Sequence, residues 1–299
     1  MSSADNYKDF DQSHILDTSD LLEELENKCG GQDGEACNNL GVRYLLGKDV
    51  AVNKEKAVEY FRRACDASLP DGCYHLGLTQ YHGSGTPVSM PDALASFEKA
   101  CNLGEGGSCN NLGIMYQTGS GVEKDADAAA DFFAKSCSLD DATGCLNAAR
   151  TAAVVKETAD MVKFLQKGCN LESIAACFSL GSAYLHGTGV EKDNLRATAM
   201  FGKACRLGSA DGCFLLGVSH FTGNGVALDK AKGAKYYRIA CEKGSSQGCI
   251  AFAECLMHAE GVPANPAAAQ HIYQRGVALK RQEDAAKAAR GGAPPPSSQ

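Results

Sequence analysis

The chain has 299 residues, 44% of them hydrophobic, and a formal net charge of −7 without any basic block. That balance argues against a nucleic-acid partner and against docking on an anionic membrane surface. No apolar stretch approaches the roughly 18 residues of a membrane span, so no membrane-spanning helix is expected.

Met1 to Lys28 holds eight acidic residues against two lysines. It has neither the basic start and apolar run of a secretory signal nor the arginine-rich character of a matrix transit peptide. Residues 1–19 read as an acidic, disordered segment. Asp20 to Cys29, DLLEELENKC, reads as a helix that caps the first repeat.

From Cys29 onward the chain repeats itself. Fourteen of the fifteen cysteines form seven pairs of identical C-x7-C spacing. The pairs are Cys29 with Cys37, Cys65 with Cys73, Cys101 with Cys109, Cys137 with Cys145, Cys169 with Cys177, Cys205 with Cys213, and Cys241 with Cys249. Successive pairs start 36 residues apart, except for a 32-residue step from Cys137 to Cys169. A fixed period of this size means stacked repeats, in which no repeat buries a core alone.

Each repeat starts with a helix A of about 12 residues. Three residues after the second cysteine comes Leu40, Leu76, Leu112, Leu180 or Leu216. One further on comes Gly41, Gly77, Gly113, Gly181 or Gly217, replaced by Ala149 and Ala253 in two repeats. These positions share one helix face, and the small residue marks close approach by another helix. A glycine loop comes next, such as Gly187-Thr-Gly-Val-Glu-Lys-Asp193. Glycine ends helix A and the aspartate is placed to cap helix B. Helix B carries Phe61, Phe97, Phe133, Leu165, Phe201, Tyr237 or Tyr273 four residues before the next cysteine position.

C-x7-C therefore joins the last turn of helix B to the first turn of the next helix A. Antiparallel helix ends bring Cα atoms within disulfide range, so each pair is expected to be a local disulfide. Closing a loop of about nine residues is worth roughly 2.6 kcal/mol from chain entropy. Paired structural cysteines imply an oxidising compartment. Without an export signal in view, the mitochondrial intermembrane space fits. The alternative is a secreted or periplasmic protein whose signal has been removed.

Two places depart from the repeat. Between Cys145 and Cys169 the Gly-x-Gly loop is missing and the chain reads Ala148-Ala-Arg-Thr-Ala-Ala-Val-Val-Lys156. This is read as a deleted surface loop. Cys255 has no partner in the cysteine arithmetic. It occupies the helix A position held elsewhere by Arg43, Thr79, Met115, Thr151, Ala183 and Ser219. A position that takes Arg and Ser is expected to be partly exposed, leaving a free thiol that is inert or, in the alternative, reactive. After the last repeat Val277 stands where a closing cysteine would fall. A charged helix over about Ala267–Arg290 leads into a Gly/Pro/Ser tail. The domain boundaries are thus 1–19, a repeat region over 20–280, and 281–299.

Little here points to catalysis or to a cofactor. The glycine loops come after helices and lack Gly-Lys-Ser/Thr, so they are not phosphate cradles. C-x7-C is not zinc-knuckle spacing, and there is no C-x-x-C redox motif. His82, His186 and His258 share one position in separate repeats and read as helix-end polar residues. Ser96-Phe-Glu-Lys99 matches the serine–lysine pattern of penicillin-recognising enzymes, but neither Ser-Asp-Asn nor Lys-Thr-Gly accompanies it. No catalytic residue, metal site or cofactor is assigned.

The pattern of Ala176-Cys-Phe-Ser-Leu-Gly-Ser-Ala-Tyr184 with Gly187-Thr-Gly-Val190 after it resembles the Sel-1-like repeat, a relative of the tetratricopeptide repeat. The resemblance covers about residues 29–280, and the cysteine pairs place it in the cysteine-rich branch. That branch includes the secreted Helicobacter cysteine-rich proteins and the mitochondrial cytochrome c oxidase assembly factor seven, which looks similar at both ends. The resemblance implies an all-α, right-handed solenoid of helix–turn–helix repeats, stapled by disulfides. It implies a monomeric, non-catalytic scaffold in the intermembrane space. Respiratory-complex subunits or assembly factors would bind on its concave face, lined by helix A. The alternatives are a Helicobacter-type protein with β-lactam binding or hydrolysis, and a thiol–disulfide oxidoreductase.

Overall fold

The computed structural model describes residues 22–291, with side chains to residue 288. The acidic segment 1–19, the start of the cap at Asp20 and Leu21, and the tail from residue 292 lie outside the described residues. Among the described residues all regular structure is helical: fifteen helices and no strand.

The helices form two compact units. The first holds α1 (Leu22–Gly30), α2 (Gly34–Leu46), α3 (Lys54–Asp66), α4 (Pro70–His82), α5 (Met90–Asn102), α6 (Gly106–Thr118), α7 (Ala126–Ser138) and most of α8 (Ala142–Val154). The second holds α9 (Thr158–Asn170), α10 (Ile174–His186), α11 (Asn194–Arg206), α12 (Ala210–Thr222), α13 (Lys230–Glu242), α14 (Ser246–His258) and α15 (Pro266–Gly291). The repeat period alone suggests one stack without separate cores. The division into units falls after Thr151, inside the repeat that has lost its Gly-x-Gly loop. Each unit is an α-solenoid segment of antiparallel helix pairs, with even-numbered helices as A and odd-numbered ones as B. Helix A is 13 residues long, close to the length expected.

Local chemistry sets these lengths. Helix B begins where Asn53, Ser89, Asp125, Asp193 or Asp229 accepts a hydrogen bond from a backbone N–H two or three residues on. A cap of this kind is worth about 1 kcal/mol. Helix A ends at Gly47, Gly83, Gly119, Gly187 and Gly223, all left-handed.

Within a repeat, one contact between helix A and helix B recurs five times. A Cβ built on Gly41 would lie 2.5 Å from the ring of Phe61. The same holds at 2.6–2.8 Å for Gly77 on Phe97, Gly113 on Phe133, Gly181 on Phe201 and Gly217 on Tyr237. The four Phe rings are at most 2% exposed. This is why glycine comes after leucine in the helix A pattern: the partner ring fills the volume of its missing side chain.

Between repeats two devices recur. Where a loop has a second glycine, it sits on the first turn of the preceding helix B. A Cβ on Gly85 would collide with the Lys54 carbonyl oxygen, and one on Gly225 with that of Asn194. A cation two residues before the first cysteine reaches the carbonyl at the end of the preceding helix B. Arg63 donates to the Cys29 carbonyl at 3.0 Å, Lys99 to that of Cys65 at 2.7 Å and Lys203 to that of Cys169 at 2.7 Å. A positive charge there also complements the helix dipole.

Every C-x7-C pair is bridged within itself. Cys29 bonds to Cys37, Cys65 to Cys73 and Cys101 to Cys109. Across the lost loop Cys137 bonds to Cys145 and Cys169 to Cys177. Cys205 bonds to Cys213 and Cys241 to Cys249. Their Cα–Cα distances are 4.3–4.9 Å. Each bridge closes one B-to-A turn. The second cysteine of each pair is sealed in the core: Cys37, Cys73, Cys109, Cys145, Cys177, Cys213 and Cys249 are at most 1% exposed. These bridges are therefore part of the packing as well as cross-links.

If the ring fills the glycine's space, Gly113→Ala should destabilise the protein by about 1–3 kcal/mol in urea unfolding through overpacking. Adding Phe133→Leu should recover part of that loss, because Ala149 and Leu165 are the residue types that repeat four carries at these positions. A double variant less stable than both single variants would contradict the contact's role.

Candidate functional site: a groove across α4 and α6

The side chains that look chemically suggestive in sequence are engaged in packing. Ser96 Oγ donates to Gln80 Oε1 at 2.7 Å, and Lys99 is the inter-repeat cation on the Cys65 carbonyl. Neither is directed at the other as nucleophile and base. His82, His186 and His258 are the last residues of α4, α10 and α14. Among the described residues no group of His, Cys, Asp and Glu could hold a metal ion, and no helix is long and apolar enough to cross a membrane.

Cys255 corrects the expectation of partial exposure. It is 2% exposed, and its counterparts Arg43, Thr79, Met115 and Ser219 are buried as well. The position faces into the helix pair even where its residue is polar: Thr79 Oγ1 donates to the Leu76 carbonyl and Ser219 Oγ to that of Leu215. Bonds back to the helix's own backbone let hydroxyls occupy an interior site, which composition alone could not reveal. Burial first, then Glu260 and Glu254, push the Cys255 thiol up to about 11. Such a thiol is a poor nucleophile at neutral pH.

Packing leaves open a groove in the first unit. It has a volume of about 430 Å³ and runs over α4 and α6 to the start of α8. Leu78, Phe97, Ile114 and Met115 give it an apolar floor, and Tyr74, Tyr81, Asn110 and Asn111 line its sides. A second hollow of about 340 Å³ adjoins it, sharing Tyr74, Gly107 and Asp141. Asp71, His75, Glu105 and Asp140 line that hollow, beside the exposed Leu139. No lysine or arginine lines either one.

The polar side chains come from the positions just after the second cysteine: Asn38, Asn39, Tyr74, His75, Asn110, Asn111 and Asn147. They link successive A helices. The His75 Nδ1–H donates to Asn38 Oδ1 at 2.7 Å, and Asn147 Nδ2 donates to Asn110 Oδ1 at 2.8 Å. The recurrence of Asn and His at this register is a readable signal of an inter-repeat polar row. So is the basic residue two positions before the first cysteine, at 63, 99, 135, 167 and 203. Both are easily overlooked beside the cysteines, because each varies in residue type from repeat to repeat. Glu105 caps α6, accepting from the N–H groups of Gly107 and Ser108. Burial raises its carboxyl above the usual range against the pull of those bonds, and Asp71 adds to the rise.

The Sel1 repeat matches six stretches: residues 34–69, 70–105, 107–141, 174–209, 210–245 and 246–280. The chain belongs to the Sel1 repeat family. The unmatched interval 142–173 is α8 and α9, where the loop is lost. Among solved structures, the Sel1 chain is similar to a protective antigen of uropathogenic Escherichia coli strains displaying an SLR fold. That match has a TM-score of 0.79 at 23% identity and covers 92% of this chain. The chain spans 60% of that protein's length. It is also similar to Helicobacter pylori cysteine rich protein B, with 33% identity over 42% of this chain and 93% of the other, at a TM-score of 0.36. Comparison with curated protein sequences yields no match.

The buried Cys255 gives a direct test. In native protein at pH 8 its thiol should stay silent towards Ellman's reagent, and one thiol per chain should react after unfolding without reductant. The folded-state value lies above the ordinary one of 9.0, so this group contributes stability that is complete below pH 9. That contribution is lost as pH rises through about 11. A native thiol that reacts at the rate of a free model thiol would contradict its burial.

Proposed function

We propose that this Sel1 repeat protein is a non-catalytic scaffold that holds partner proteins along its A-helix face. The observation that carries the reading is the groove across α4 and α6. It is a concave, half-apolar site that repeat packing leaves unfilled, and the neighbouring Ser96, Lys99 and cysteine groups are occupied in structural bonds. Clefts with an apolar floor and a few placed polar groups are where ligands bind. The disulfides support an oxidising compartment. The protein acts as a monomer in the mitochondrial intermembrane space and assists assembly of respiratory complexes, cytochrome c oxidase first. The resemblance to the cysteine-rich assembly factor supports this last step. Buried, high-pKa Cys255 speaks against a thiol–disulfide oxidoreductase working through that residue.

In cells deleted for the gene, the re-expressed chain should fractionate with the intermembrane space and restore cytochrome c oxidase assembly. Ser96→Ala and Cys255→Ser should restore it equally, and Ile114→Asp in the groove should not. A Ser96→Ala or Cys255→Ser protein that stays folded and abundant yet fails would overturn the scaffold reading. Full rescue by a chain retained in another compartment would overturn the assignment of place.

A further inference from the structure

The two adjoining hollows of the first unit differ in chemistry, and the difference selects an occupant. The groove proper offers an apolar floor of Leu78, Phe97, Ile114 and Met115. The adjoining hollow offers Asp71, Glu105, Asp140 and Asp141, with no lysine or arginine on its walls. Between them stand Tyr74, Gly107 and Asp141, common to both. The Asn111 carboxamide, half-buried on the groove wall, presents a donor and an acceptor, as a peptide unit does.

Resting on the scaffold reading, we propose that this groove takes an extended segment of a partner protein in which an apolar side chain stands next to a lysine or arginine. The apolar side chain fills the space over Ile114 and Met115, the backbone pairs with Asn111, and the cation enters the hollow between Asp71 and Glu105. Charge complementarity chooses this occupant over an acidic segment. Four carboxyl-bearing side chains share a hollow of about 340 Å³ with His75, and Asp141 among them is bonded to Ser136 Oγ and to the N–H groups of Thr143 and Gly144. Glu105 is already partly stripped of water, and its backbone bonds from Gly107 and Ser108 leave net charge to be balanced. A partner cation supplies that balance, and opposite charges at a desolvated contact are what discriminate partners.

The test uses the full chain and fluorescein-labelled Gly/Ser host peptides carrying a central Leu-Lys, Leu-Glu or Ser-Lys, read by fluorescence anisotropy. Leu-Lys should bind most tightly, and its affinity should fall as salt is raised. Asp71→Asn should weaken Leu-Lys by about tenfold or more, and Ile114→Ser should weaken it comparably. Asp71→Lys should shift the preference towards Leu-Glu, a gain that a merely unfolded variant cannot show. Glu105 is left intact because it caps α6. Equal binding of Leu-Lys and Leu-Glu, or Leu-Lys binding that ignores Asp71, overturns the inference while leaving a partner groove in place. Binding of Ser-Lys and of spermine as tightly as Leu-Lys reduces the site to a non-specific acidic surface and also overturns it. No binding by any peptide, together with failed rescue by the folded chain in cells, overturns the scaffold reading as well.

Discussion

The contact that sets everything else is an aromatic ring laid on a backbone that has no Cβ. Five times a glycine of helix A receives the ring of Phe61, Phe97, Phe133, Phe201 or Tyr237 from helix B. The approach fixes how closely two helices of one repeat can lie. The disulfides then hold the end of each helix B beside the start of the next helix A, also after α9, where Leu165 packs in place of the ring. Where the contact changes, the surroundings change with it. At the last repeat Ala253 replaces the glycine, and Tyr273 is 46% exposed.

Much of this was legible because it repeats. Leu-Gly, the loop glycines and the capping Asp125, Asp193 and Asp229 recur at fixed offsets. One correct assignment was therefore an assignment for every repeat. The failures came where a position tolerates several residue types. Arg43, Thr79 and Ser219 made the Cys255 site look exposed, yet a helix interior accepts hydroxyls that bond back to their own backbone. The division after Thr151 has no pattern of its own along the chain. The lost loop was visible at 148–156, but a shorter connection says little by itself about how contacts cluster on either side. The groove was the least legible feature. Its walls combine residues from α4, α5, α6 and the α8 start, and neither the apolar floor nor the acidic hollow is a pattern along the chain.

Repetition also explains how residues with catalytic reputations come to be held in structural bonds here. A lysine two positions before a cysteine is one member of a series in which Arg63, Lys99 and Lys203 dock their helix onto the carbonyl end of the preceding helix B. Placing serine three residues before that lysine puts its hydroxyl on the same helix side, where Gln80 takes it up. The match to a catalytic tetrapeptide arises from two structural jobs meeting at one helix. What remains for recognition is the set of positions that the repeat rule does not dictate. In the first unit these are the Asn, His and Tyr residues just after the second cysteine. In the second unit the same positions hold Phe178, Phe214 and Ile250, a face of different chemistry on the same scaffold.

Each cross-link begins and ends within a single B-to-A turn, eight residues apart in sequence. The covalent network therefore never spans one repeat boundary more than once, and no bridge depends on a distant segment arriving first. Short loops close with the least entropy, which favours the local pairing over any rearranged one. The same arrangement makes the chain editable. Away from the 32-residue step and the ends of the array, removing or duplicating 36 residues rejoins a first cysteine to a second at the same spacing. A protein wired in this way can change its length, and with it the extent of its A-helix face, without rewriting its disulfide connectivity.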